Sequence, residues 1–165
     1  MTDDERLLNS VDDGILRMLE DEAGPVVQRL AQSKAATYEA IQDGEATTRF
    51  AALSLAQLKW GVTQDIAERC ERLASADPDA RVRGAAVVCL NRHYAKTKNP
   101  QITRLLAKIV GDNAESQDVR EVAYSGLFAV RDRDVLQWPE LGSGFRFPKD
   151  VDWVFVSACL GSAER

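Results

Sequence analysis

Few side chains in this sequence can do chemistry. A single histidine, His93, excludes any site that needs two imidazoles, and no nucleophile-elbow motif supports a serine–histidine–acid arrangement around it. Cys70, Cys89 and Cys159 are odd in number, far apart in sequence and form no CxxC pair, so neither a disulfide framework nor a zinc site is indicated. No catalytic residue, metal ligand or cofactor is expected. His93 shares a helical stripe with Val82, Ala86 and Cys89, which suits packing better than catalysis. What remains is a row of charges. Arg49, Arg83 and Arg120 stand 34 and 37 residues apart, and Asp43, Asp77 and Asp112 precede them at intervals of 34 and 35. Each aspartate is followed by a turn former: Gly44, Pro78 or Asn113. The row reads either as a charged ligand site or as a structural ladder in which each arginine reaches a turn aspartate and ties adjacent repeats. Recurrence in every copy favours the ladder.

The elements that must position this row repeat with it. Ala52, Ala86 and Ala123 follow the arginines by three residues, and Ala56, Leu90 and Leu127 follow them by seven. Before each turn stand Ala36 and Ala40, Cys70 and Ala74, or Leu105 and Ile109, pairs at i and i+4 that share one helix face. The unit is therefore helix, aspartate turn, helix, and the alanines allow neighbouring helices to approach closely. Repeats are placed at about 25–61, 62–96 and 98–131. Their helices are expected over 25–42, 46–60, 62–76, 79–95, 101–110 and 117–131. An amphipathic N-terminal helix is expected over 4–20. The region 132–165 contains Pro139, Gly142, Gly144 and Pro148 and reads as a degenerate cap. Its last helix, about 150–160, resembles a fourth second helix with Asp152 in place of the arginine. One helix pair cannot bury both of its apolar sides, whereas stacked pairs can, so the expected fold is an all-α solenoid.

On these residues, and most of all on Asp77-Pro78-Asp79-Ala80-Arg81-Val82-Arg83-Gly84-Ala85-Ala86, the chain resembles HEAT-repeat proteins, specifically the phycobilisome-lyase type of HEAT-like repeat. The first copy departs from the pattern with Thr48 in place of valine. The third has Gly126 where the others carry Leu55 and Cys89. The resemblance implies a curved stack of helix pairs used mainly as a protein-binding scaffold, and no reaction. Its subtype raises, as an alternative, a lyase-like accessory subunit. A HEAT-like DNA glycosylase is disfavoured by a short acidic chain.

The chain has 165 residues and a net charge of −5, which argues against a general nucleic-acid or anionic-membrane binder. The opening Met-Thr-Asp-Asp-Glu does not read as a signal peptide and no apolar run reaches the length of a membrane span, so a cytoplasmic setting is expected. Within this acidic chain, residues 81–110 hold seven bases and no acid. Arg81, Arg92 and Lys96 project within a narrow arc, and Arg104 and Lys108 form an i, i+4 pair. These five are the candidate partner-binding residues, for a protein with an acidic surface, with a solvated face as the plain alternative. A small inhibitor or immunity-type protein is a special case of such a module. Trp138, Phe145, Phe147 and Trp153 fall in or near the breaker-rich segment and read as aromatics folded back over the end of the helix stack, with a binding loop as the alternative.

Overall fold

The computed structural model describes residues 17, 21, 24–139 and 144–161. Apart from Arg17, which is helical, the helix expected over 4–20 lies outside the described residues. Among the described residues every regular element is helical and no strand occurs, so the all-α expectation holds there. None of their helices is long and apolar enough to cross a membrane. The chain divides into two compact units, 1–61 and 62–165.

In the first unit, residues 24–30 form α1, Lys34–Ala40 form α2 and Ala46–Leu55 form α3, which runs into a π-helical turn at Ala56–Trp60. The single helix expected from Pro25 to Gln42 is therefore broken, and the break has a local cause. Ser33 takes extended backbone angles and its hydroxyl accepts the Ala36 amide, starting a new helix by N-capping. Thr37 Oγ1 lies 2.8 Å from the Leu30 carbonyl, which also accepts the Ser33 amide at 3.1 Å, so α2 is tied to the end of α1 through that carbonyl. Trp60 Nε1 donates to that same hydroxyl at 3.1 Å, and Lys59 Nζ donates to the Ala31 carbonyl at 2.7 Å. The turn after α3 is thus fastened across the break. Gly61 ends the helix at a φ of 84°, a left-handed conformation that costs a glycine little.

The second unit holds α4 (Gln64–Ala76), α5 (Ala80–His93), α6 (Pro100–Gly111), α7 (Gln117–Val130) and α8 (Trp153–Leu160). Each start is explained by its cap. The side chains of Thr63, Asp79, Asn99, Ser116 and Asp152 each accept a first-turn amide, and Pro100 sits where no amide hydrogen is needed. Helix α5 packs against α4 and α7, and α6 packs against α7 and α8. Ala86 and Ala123 are fully buried, as is Ala52 in the first unit, consistent with close helix approach at each copy's second helix. Leu90, Leu106 and Leu127 have no exposed surface, and burying each contributes about 1.5–3 kcal/mol relative to exposure. A Cβ on Gly126 of α7 would collide with the Asn91 side chain of α5, whose Nδ2 donates to the Val122 carbonyl at 3.1 Å. The glycine that departs from the repeat pattern makes room for this cross-helix bond. The loop after α5 also fastens α7: the Lys96 and Lys98 amides donate to the Ala129 and Val130 carbonyls, both at 2.8 Å.

Of the four aromatics expected to fold back, Phe145 and Phe147 pack onto α7, whereas Trp153 is 40% exposed. Phe145 stacks on Tyr124 with centroids 5.9 Å apart, and the Arg120 guanidinium stands 4.6 Å above the Phe147 ring. Phe155 of α8 meets Phe128 at 4.8 Å, and Trp138 Nε1 donates to the Arg133 carbonyl. Helix α8 itself packs mainly against α6, the first helix of its pair. Asp152, expected to stand in for a ladder arginine of a second helix, instead caps α8 through the Phe155 amide. Short polar side chains preceding a helix favour capping, so its position decides its role.

Candidate functional site

The charge row forms one motif in three copies. Each aspartate closes an Asx turn, its carboxylate accepting the amide two residues on: Glu45 at 2.8 Å, Asp79 at 2.9 Å and Ala114 at 2.9 Å. Arg49 and Arg83 then reach back from their helices to the turn's backbone, and Arg120 reaches the end of the preceding helix and a turn side chain. Arg49 donates to the Asp43 and Gly44 carbonyls at 3.0 and 2.9 Å, and Arg83 to the Asp77 and Pro78 carbonyls at 2.7 and 3.2 Å. Arg120, whose loop is longer, reaches the Val110 carbonyl at 3.0 Å and Asn113 Oδ1 at 3.2 Å. These contacts run within a copy, from the second helix to its own turn. A tie between copies comes from a residue that the sequence reading did not single out: Glu115. It grips Arg83 with a two-pronged ion pair, Nε to Oε2 at 2.6 Å and Nη2 to Oε1 at 2.8 Å. The pair holds the Glu115 carboxyl below its ordinary range and raises the Arg83 guanidinium, because each hydrogen-bonds the charged form of the other. The signal available in sequence was the longer third loop that carries Glu115.

His93 is engaged at both ring nitrogens, with Nδ1 2.8 Å from the Val62 carbonyl and Nε2 3.1 Å from Gln64 Oε1. Cys70 and Cys89, distant in sequence, are brought together by the packing of α4 on α5. Their hydrogen bond, with burial, pushes the Cys89 thiol well above its ordinary value. Among the described residues no group of acids, cysteines and histidine is arranged to hold a metal ion.

The five candidate binding residues separate. Arg81 is paired with Asp79 at 3.2 Å, lowering the Asp79 carboxyl's affinity for its proton. Arg92 is exposed near the end of α5, and Lys96 is exposed in the following turn at a φ of 63°. Arg104 and Lys108 lie on α6 and line a cavity of about 230 Å³ together with Glu71, Ser75, Gln101 and Leu105. Arg104 Nε is buried with no hydrogen-bond partner. A second cavity, of about 440 Å³, lies beside α7 and is walled by Tyr124, Phe128, Phe145 and Phe155, with Arg133 standing 5.0 Å over the Phe155 ring. Its carboxylates are committed, since Asp150 is bound by Arg146 and Asp152 caps α8. No family model, curated protein or solved structure matches the chain.

Proposed function

We propose that the chain is a HEAT-like α-solenoid of about three helix pairs that acts as a non-catalytic interaction module. It holds a partner protein with an acidic surface through a curved helical face and the basic residues Arg92, Lys96, Arg104 and Lys108, while Arg81, paired with Asp79, is set aside. One observation supports this reading above the others. Lys96, Arg104 and Lys108 have no ion pair among the described residues, whereas Arg81 and Arg83 nearby in sequence are neutralised by Asp79 and Glu115. Cations not already held in an ion pair are available to a partner. The HEAT-like assignment rests on the thrice-repeated arginine-to-turn contact.

The test is charge reversal of Arg92, Lys96, Arg104 and Lys108 together, followed by affinity capture from native lysate. Capture of the partner held by the wild-type protein should be lost while far-UV circular dichroism stays unchanged. Binding of the wild-type protein should weaken with salt, since exposed charges are screened beyond about 8 Å at physiological ionic strength. Capture of the same partner at unchanged affinity by the reversed variant would overturn the proposal.

A further inference from the structure

Arg104 and Lys108 sit over a groove between α4 and α6 that is deeper than a pair of surface charges. The cavity they line continues into a second, of about 220 Å³, sharing Ser75, Leu105 and Lys108 and adding Ala74, Ile109, Asp112 and Glu115. The floor is apolar, formed by Ala74, Leu105 and Ile109, and the walls are charged. Every acid on those walls has a bond of its own. Glu71 accepts from Gln101 Nε2 at 2.7 Å, Asp112 closes its Asx turn, and Glu115 holds Arg83. The cations are not so engaged. Arg104 Nε is buried without an acceptor, and Lys108 is exposed with no ion pair among the described residues. A buried donor left without an acceptor is costly, and a guanidinium gains most from a carboxylate that meets its fork.

We propose that this groove takes an extended peptide segment of the partner, anchored by one carboxylate between Arg104 and Lys108 with an aliphatic side chain on the Leu105–Ile109 floor. The inference rests on the protein-binding reading and narrows it to one site and one ligand chemistry. Helix α6 has 12 residues and so offers about 18 Å of wall, enough for about five residues of extended chain. Glu71, Asp112 and Glu115 flank the two cations, so the site suits a single carboxylate and disfavours a polyanion.

The experiment is fluorescence anisotropy of the full chain with fluorescein-labelled octapeptides carrying one Glu beside Leu or Ile, with Gln-for-Glu peptides as controls. The Glu peptides should bind at least tenfold more tightly than their Gln isosteres. Arg104→Gln and Lys108→Gln should each weaken binding about tenfold or more at an unchanged melting temperature, with Arg104→Lys intermediate because it keeps the charge and loses the fork. Charge reversal of Lys149, exposed and outside the groove, should leave peptide binding unchanged. Equal binding of Glu and Gln peptides, or no effect of either α6 substitution, would overturn the groove. If, at the same time, reversal of Arg92 and Lys96 alone abolished partner capture, the interaction-module reading would survive with its surface on α5. If no peptide bound and the four-site reversal left capture intact, both would fall.

Discussion

At the scale of single residues, the Arg83–Glu115 pair is the most consequential contact that the repeat pattern led to without revealing. The period identified Arg49, Arg83 and Arg120 because identical roles recur at identical spacing. It could not show that their targets include turn carbonyls, since a carbonyl belongs to every residue and leaves no trace in composition. The side chains of the pair are 19% and 8% exposed, so its worth lies between that of a surface bridge and a buried one, about 1–3 kcal/mol. Arg83→Ala should therefore destabilise the chain by about that much or more in chemical denaturation, with the lost carbonyl bonds added, while Arg92→Ala should stay within about 0.5 kcal/mol. Equal effects would refute the assignment. The pair also carries a pH signature. Arg83 depresses the Glu115 carboxyl from its ordinary value of 4.5, so its contribution is present above that value and lost as pH falls through the folded-state pKa. The stability gap between wild type and Glu115→Gln should be constant near neutrality and shrink in acid. A gap that held constant to pH 3 would mean the carboxylate form is not what matters.

At the scale of elements, helix positions were legible because 3.6-residue periodicity and capping residues carry them, and the departures trace to side chains that act on backbone. Ser33 and Thr37 interrupt a helix that periodicity alone would continue, because a hydroxyl near a helix end competes for backbone hydrogen bonds. Gly126 was visible as a break in the repeat, but its reason was not, since Asn91 lies on another helix. Gly126→Ala removes a residue of poor helix propensity, which by itself would stabilise α7 by about 0.8–1 kcal/mol. The collision with Asn91 should outweigh that gain, for a net loss of about 1–3 kcal/mol by overpacking. Adding Asn91→Ala should recover part of the loss, a coupling readable in a double-mutant cycle. Stabilisation by Gly126→Ala alone would mean that Asn91 moves aside freely. The Cys70–Cys89 contact illustrates the same limit: it arises from the packing of α4 on α5, and neither cysteine's sequence context announces it.

At the scale of the whole molecule, what the binding surface consists of was only partly legible. A run of seven bases without an acid is plain in the sequence, yet Asp79, Glu115 and Asp132, lying outside that run, pair with three of them, and only the fold brings Glu115 to Arg83 and Asp132 to Lys98. The division at Gly61–Val62 yields a further prediction. The second unit contains its own caps, the Arg83–Glu115 pair, the Asn91–Val122 bond and the aromatic cover of α7, and His93 bonds to Val62 at its first residue. Its helices α4 to α8 pack on one another through fully buried side chains such as Ile66, Leu90, Leu106 and Leu127. A chain of residues 62–165 should therefore fold alone, giving a helical far-UV spectrum and a single cooperative denaturant transition. Its m-value should fall below that of the full chain in proportion to the surface it buries. A 62–165 chain without a cooperative transition would show instead that the second unit needs residues 1–61 to hold its packing.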